Sequence, residues 1–138
     1  MKYIKSCGFV VYKTLENVNY YLIIRSINGD VGFPKGHIEI GESETETATR
    51  ELKEETNIEV IMVDGFRRQI EYPLPGRTDA IKQSVYFLGE CITGNIICQE
   101  GEVAEAAFLP FSEALSALTF DETKRILRDA EEFILLLK

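Results

Sequence analysis

The sequence contains no tryptophan, a single histidine and only three cysteines. Cys7, Cys91 and Cys98 are an odd number and include no C-x-x-C pair, which disfavours a disulfide-stapled secreted fold. We therefore predict reduced thiols and a cytoplasmic protein. Because tryptophan is absent, any stacking on a nucleotide base has to use tyrosine or phenylalanine.

Positive charge is also scarce, with 15 lysines and arginines against 23 acidic residues and a formal net charge of −8. A sequence-independent nucleic-acid binder needs a basic face, so this class is disfavoured. An acidic protein can still bind polyphosphate when metal ions mediate the contact. No apolar run approaches the length of a membrane span, so no membrane association is expected.

The length and the remaining composition are those of an ordinary globular domain. The chain has 138 residues, of which 45% are hydrophobic and 28% are charged. This length is sufficient for a substantial core and typical of one domain. We predict a single domain over residues 1–138.

The most informative stretch is residues 33–58, which reads as a loop followed by a helix. Gly36 and Gly41 bracket the loop. Ser43 and Glu46 have the spacing of a capping box, which predicts that the helix begins after Ser43. Asn57 follows the last helical residues, where a left-handed conformation is often required.

Glu51, Glu54 and Glu55 fall on one face of the predicted helix because their spacing is i, i+3, i+4. Like charges so placed repel one another, and a divalent cation would remove the repulsion. Oxygen ligands of this type suit Mg²⁺ or Mn²⁺. The alternative interpretation of the pattern is a solvated acidic helix face.

The stretch as a whole resembles the signature of the Nudix hydrolases. It fits the pattern Gly36-x5-Glu42-x7-Arg50-Glu51-Leu52-x-Glu54-Glu55-x-Asn57-Ile58. The one departure is Asn57, which stands where the family has glycine.

The resemblance implies an α/β fold of the Nudix α/β/α sandwich type with a mixed sheet. It also implies attack of water on a phosphorus of a substituted nucleoside diphosphate. Glu51, Glu54 and Glu55 would be metal ligands, together with the backbone carbonyl of Gly36. Arg50 and Glu55 are expected to take part in catalysis, and we predict that Arg50 pairs with Glu42.

The rest of the chain predicts strands and two further helices around this motif. Residues 3–13, 20–26, 81–91 and 106–109 have strand character, and residues 58–70 have it with a break at Asp64-Gly65. Pro73, Pro75 and Gly76 predict a loop near residues 73–80. A short helix is predicted over residues 111–118, and a longer one, capped by Asp121, runs to about Leu137. Strands mixed with helices in this order suggest a mixed sheet with helices on both faces.

A catalytic base is expected in the acidic loop after residue 99. Glu100, Glu102 and Glu105 are available there. In several Nudix enzymes an acidic residue outside the motif is the base, and the resemblance of the following Phe108-Leu109 favours Glu102. The alternative is that all three are solvated loop carboxylates.

Two regions suggest the substrate. Lys35 and His37, at the entrance of the motif, can bind phosphate oxygens. The tail 108–133 is similar to the C-terminal region of the asymmetrical diadenosine tetraphosphate hydrolases, a group within the family. By that resemblance Lys82 contacts phosphate and Tyr86 stacks on adenine; otherwise Tyr86 is a core aromatic of its strand.

The predicted partner is therefore a small nucleoside polyphosphate, with Mg²⁺ or Mn²⁺ as cofactor. Diadenosine tetraphosphate, cut to ATP and AMP, is the first hypothesis. Diphosphoinositol polyphosphates, nucleoside triphosphates and 5′-pyrophosphate RNA ends are the other substrates that the motif allows. A nucleotide-sensing module without catalysis is the remaining hypothesis, although the complete set of acidic positions disfavours it.

Overall fold

A computed structural model describes residues 2–74, 76 and 78–137. Its strands and helices are, in chain order, β1 (Lys2–Leu15), β2 (Val18–Ser26), β3 (Val31–Gly32), β4 (Lys35–His37), α1 (Glu44–Thr56), β5 (Glu59–Pro73), β6 (Ala80–Thr93), β7 (Val103–Pro110), α2 (Phe111–Ala117) and α3 (Asp121–Leu136). β5 ends at Pro73 and β6 begins at Ala80, so the connection between them coincides with the loop predicted near residues 73–80. Pro75, part of that prediction, lies outside the described residues. No helix in the described part of the chain is long and apolar enough to cross a membrane.

Across the described residues the strands form one mixed sheet of seven strands. The order along its main path is β3-β2-β1-β6-β5, with β4 paired to β1 and β7 paired to β2. β1 and β6 run parallel, and every other pair is antiparallel. The prediction of a mixed sheet is confirmed.

Alternate residues of the central strands face two separate cores, because successive side chains of a strand point to opposite faces. On one face, Phe9 and Val11 of β1 pack with Ala48 and Leu52 of α1. On the other face, α2 and α3 pack against residues such as Val10. Helices thus cover both faces, and the predicted α/β/α sandwich is confirmed.

The boundaries of α1 agree with the capping signals in the sequence. The Ser43 hydroxyl accepts from the Glu46 amide at 3.1 Å, and the Glu46 carboxylate accepts from the Ser43 amide at 2.8 Å. At the other end Asn57 is left-handed, with φ 67°, and its amide donates to the Lys53 carbonyl. Both the capping box and the asparagine exit are confirmed.

Three local predictions differ from the structure. The motif loop contains the short strand β4, because β1 is long enough to pair with it as well as with β2. β5 continues through Asp64-Gly65, where its pairing with β6 shifts register instead of ending. Asp121 is the first residue of α3 and not its N-cap; Phe120 holds that position without a side-chain cap.

Candidate active site

The motif loop meets the sheet through β4, which sends adjacent residues to opposite faces. Lys35 lies opposite Gly8 of β1, and Gly36 lies opposite Cys7. Since Cys7 belongs to the core beneath α1, Gly36 faces α1 and Lys35 faces the side of α2 and α3. A Cβ atom at Gly36 would overlap the carboxyl group of Glu51. Glycine is therefore required here for the backbone to approach the carboxylates of α1.

Glu55 is held at the inner end of the acidic face of α1. Its Oε1 accepts from the Lys35 backbone amide at 3.0 Å. Burial, and then the negative charge of Glu51, raise the pKa of the Glu55 carboxyl to about 8. Burial also raises the pKa of Glu51. Glu51 and Glu55 therefore hold protons more tightly than exposed carboxyls do, and a bound cation would relieve this electrostatic strain.

Arg50 is the centre of the ion-pair network around this face. Its guanidinium donates to Glu42 at 2.6 and 3.0 Å, to Glu51 at 2.8 Å and to Glu54 at 3.2 Å. The same group donates to the His37 carbonyl at 3.1 Å, which ties the motif loop to the helix. These bonds, first of all those that Arg50 donates to Glu42, raise the pKa of Arg50. The predicted pairing of Arg50 with Glu42 is confirmed.

The side chains of this face fit a hard divalent cation. Glu51, Glu54 and Glu55 offer only oxygen, and Gly36 brings its backbone against Glu51, so these four residues would hold the ion. Within the described residues, no group of three metal-binding side chains is already assembled as a cluster. The Glu51 and Glu54 carboxylates instead accept from Arg50, which supplies positive charge in the same place.

Lys35 and Lys82 bring two ammonium groups together on the side of α2 and α3. Burial, followed by the charge of Lys82, lowers the pKa of Lys35 to about 8. In the part of the chain that the structure describes, neither ammonium has an ion-pair partner. Two adjacent ammonium groups without an ion-pair partner are chemically suited to bind phosphate oxygens. His37 is exposed beside Lys35 on the same short strand.

Tyr86 does not present a stacking surface, so the prediction that it stacks on adenine is wrong. It is 1% exposed, and its ring packs edge-on against Phe33 with centroids 5.4 Å apart. Burial raises its pKa. The cause is the parity of β6: Tyr86 points into the core between the sheet and α3. In this structure Tyr86 is a core aromatic of its strand, which was the alternative prediction.

Tyr72 is an exposed aromatic residue that the sequence interpretation missed. It is 38% exposed and lies directly opposite Lys82 in the β5–β6 ladder, so the two side chains share a face. The signal that could have found it is the antiparallel register of the two strands, which pairs residue 72 with residue 82.

The three carboxylates of the predicted acidic loop differ in their surroundings, and Glu105 lies within β7 and not in the loop. Glu105 pairs with Arg25 at 2.5 Å and lies in the β2–β7 ladder. Glu102 is close enough to Glu55 for its charge to raise the pKa of that carboxyl. Glu100 lies in the exposed turn that precedes them. Of the three, Glu102 is the one placed in electrostatic contact with the acidic face of α1.

Comparison with known proteins decides the family of this site. The profile of the NUDIX domain matches residues 8–130, which include the whole motif. The chain belongs to the NUDIX domain family. This membership confirms the resemblance seen in the motif, and with it the predicted class, a Nudix pyrophosphohydrolase.

Individual relatives match the chain along most of its length. The asymmetrical bis(5′-nucleosyl)-tetraphosphatase of Rattus norvegicus is 27% identical over 143 residues, covering 95% of each chain. An 8-oxo-(d)GTP phosphatase of Mycolicibacterium smegmatis is 29% identical over 111 residues, or 80% of this chain and 33% of that protein. The crystal structure of a C. elegans Ap4A hydrolase binary complex superposes with a TM-score of 0.86, at 23% identity, covering 96% of this chain and 98% of that one. That similarity shows a common Nudix fold.

Proposed function

We propose that this Nudix enzyme hydrolyses diadenosine tetraphosphate asymmetrically, giving ATP and AMP, with Mg²⁺ or Mn²⁺ as cofactor. The observation that carries the proposal is one arrangement of side chains. The acidic face of α1, the paired ammonium groups of Lys35 and Lys82, and the exposed ring of Tyr72 are connected through β4 and β6. The tetraphosphatase from Rattus norvegicus, similar along 95% of both chains, supports this substrate.

Each part of the site has a role in this reaction. Lys35 and Lys82 bind phosphate oxygens of the polyphosphate, and exposed His37 donates to a further oxygen. The cation, when bound by Gly36, Glu51, Glu54 and Glu55, supplies neutralisation of the charge that develops on the phosphate oxygens. Arg50 orients the Glu51 and Glu54 carboxylates through the hydrogen bonds that it donates to them.

Glu102 is the base that takes a proton from the attacking water. The charge of Glu102 raises the pKa of Glu55, whereas Glu105 forms a salt bridge with Arg25. A base has to lie beside the electrophilic centre to act in this way. The water oxygen forms a bond to phosphorus as the bridging P–O bond breaks, and the proton passes to the Glu102 carboxylate.

The asymmetric cut follows from how the substrate is held. One adenine, stacked on Tyr72, fixes the register of the polyphosphate over carboxylates that are anchored to α1. Water then meets one phosphorus in line, the fourth counted from the held adenosine, and ATP leaves on that side. Base–aromatic stacking contributes about 1–3 kcal/mol per base, which is sufficient to select one register.

Nucleoside triphosphates are the second candidate substrates. The similarity to the 8-oxo-(d)GTP phosphatase of Mycolicibacterium smegmatis favours them, although it covers only 33% of that protein.

An assay with Mg²⁺ on a panel of diadenosine tetraphosphate, nucleoside triphosphates, diphosphoinositol phosphates and 5′-triphosphate RNA tests the proposal. We expect the highest kcat/KM on diadenosine tetraphosphate; a higher value on another member would replace it as the substrate.

We propose a cytoplasmic location on the basis of the three cysteine thiols. Cys7 is buried, Cys91 and Cys98 are half-buried, and all three are free. Free thiols are typical of a reducing compartment, which supports the cytoplasm.

A further inference from the structure

The segment of residues 94–99 is bound to the carboxyl end of α1 by its backbone. The amide of Ile97 donates to the carbonyl of Thr56 at 3.0 Å, and the amide of Gln99 donates to the carbonyl of Glu55 at 3.0 Å. The last carbonyls of a helix have no partner within the helix. The segment therefore satisfies the carbonyls of the same turn that carries the metal-binding face.

The start of the segment is fixed against the exit of α1. The Asn57 side-chain amide donates to the carbonyl of Asn95 at 3.0 Å. Gly94 has φ +118°, and a Cβ atom there would lie 2.5 Å from the carbonyl oxygen of Asn57. Ile96 packs against the core beneath α1. The segment is thus held by hydrogen bonds, by a close backbone approach and by apolar contact.

Gln99 joins this segment to the turn that carries Glu102. Its carbonyl accepts from the amides of Glu102 at 3.2 Å and Val103 at 3.0 Å. One residue is therefore bonded through its amide to Glu55 and through its carbonyl to Glu102. On the far side of the turn, the Glu102 carbonyl accepts from the amide of Ile27 at 3.2 Å.

We propose that the segment of residues 94–99 is a positioning element for the reaction, because it sets the distance between Glu102 and the carboxylates of α1. The inference rests on the proposed function, in which Glu102 is the base. A helix cap alone requires the bonds to Glu55 and Thr56, but it does not require Gln99 to hold the Glu102 turn. A misplacement of about 1 Å can cost on the order of 10²-fold in rate.

Two pairs of variants separate positioning from simple stability. Gln99→Pro removes the amide that donates to Glu55, whereas Gln99→Ala keeps it and changes only the side chain. Gly94→Ala introduces the clash with Asn57, whereas Gly65→Ala has a similar positive φ of +95° without a backbone clash. We expect Gln99→Pro and Gly94→Ala to lower kcat about 10²-fold with little change in KM. Gln99→Ala and Gly65→Ala should retain turnover close to that of the original chain.

A double-mutant cycle shows whether Gln99 acts through Glu102. In the Glu102→Gln background, Gln99→Pro should cost no further activity, because the group that it positions is already inactive. An equal loss in both backgrounds would overturn the proposal and leave Gln99 with a merely structural role.

A readout without turnover tests the same inference independently. Mn²⁺ bound at the α1 carboxylates should broaden the NMR signal of the Glu102 amide. In Gln99→Pro this broadening should fall, while the broadening of the Glu54 amide stays as it was. Unchanged broadening at Glu102 would overturn the positioning role. Failure of the original chain to hydrolyse any polyphosphate would overturn the proposed function instead.

Discussion

At the scale of single residues, Arg50 accounts for how so many carboxylates stay together. It contacts Glu42, Glu51 and Glu54 at 2.6–3.2 Å, and these carboxylates would repel one another without it. The Arg50 side chain is only 23% exposed, so solvent screens these contacts less than it screens surface pairs. Arg50 thus keeps the acidic face of α1 assembled and oriented.

The first prediction concerns the ligands on that face. Glu54→Gln and Glu55→Gln should keep the fold and lower kcat by at least ~10²-fold, since each removes one preorganised charge from the transition state. Steady-state kinetics at saturating Mg²⁺ measure the loss. Glu132→Gln, the same change on an exposed position of α3, is the control. Near-normal turnover in both α1 variants would contradict their assignment as ligands.

The second prediction concerns the base. Glu102→Gln should lower kcat by ~10²–10⁴-fold with little change in KM, because the lost step is proton transfer and not binding. Glu105→Gln is the matched control, since Glu105 pairs with Arg25. A silent Glu102→Gln together with a large loss in Glu105→Gln or Glu100→Gln would show that another carboxylate of the loop is the base.

The third prediction assigns the stacking surface. Tyr72→Ala should raise KM by the equivalent of ~1–3 kcal/mol, because it removes an exposed ring beside Lys82. Tyr72→Phe keeps the ring and should leave KM nearly unchanged, as should Tyr86→Phe in the core. An unaltered KM in Tyr72→Ala would remove Tyr72 from the adenine site.

At the scale of elements, the amino end of α1 is fastened to the sheet through Glu44. Its carboxylate accepts from Lys5 of β1 at 2.8 Å and from Arg67 of β5 at 2.9 and 3.0 Å. A bond from each of two strands fixes the position of the helix over its core. The carboxyl end is fastened separately, by the segment that carries Gln99.

The fourth prediction follows from the pKa of Glu44. The bonds from Arg67, and then from Lys5, lower it to about 2. A carboxyl whose pKa is lowered on folding stabilises the fold above its unfolded pKa of ~4.3, and this contribution is lost as the pH falls toward 2. Glu44→Gln should therefore cost about 1–2 kcal/mol at pH 7, after allowance for solvent screening.

Urea unfolding at a series of pH values from 7 to 3 measures this contribution. The difference in the free energy of unfolding between the original chain and Glu44→Gln should shrink steadily toward the acid end. A difference that stays constant over the whole series would show that Glu44 does not stabilise the fold through its charge.

At the scale of the whole molecule, the features that can be predicted from the sequence are those set by residues close together in the chain. The helix α1 and its ends are predictable because Ser43, Glu46 and Asn57 act on backbone groups a few residues away. The acidic face follows from the helical period, and the pairing of Arg50 with Glu42 follows from the motif. The mixed sheet follows from the order of strands and helices together with the family resemblance.

What the sequence did not predict depends on contacts between distant elements. Tyr86 and Tyr72 have similar strand surroundings in sequence, but Tyr86 packs in the core with Phe33 and residues of α3, whereas Tyr72 stays exposed. The start of α3 is displaced because Thr119 forms two hydrogen bonds with Val31, which keep the chain extended up to Phe120. No local pattern at Asp121 reveals a contact with a residue so far away in the chain.

The most direct test of the account is product analysis of diadenosine tetraphosphate hydrolysis with Mg²⁺ in ¹⁸O-labelled water. In the proposed binding mode one adenosine is held and one phosphorus meets water, so ATP and AMP are expected in equal amounts. The label should enter AMP alone, because water attacks the phosphorus that leaves with it. Two molecules of ADP as the products would contradict the asymmetric cut.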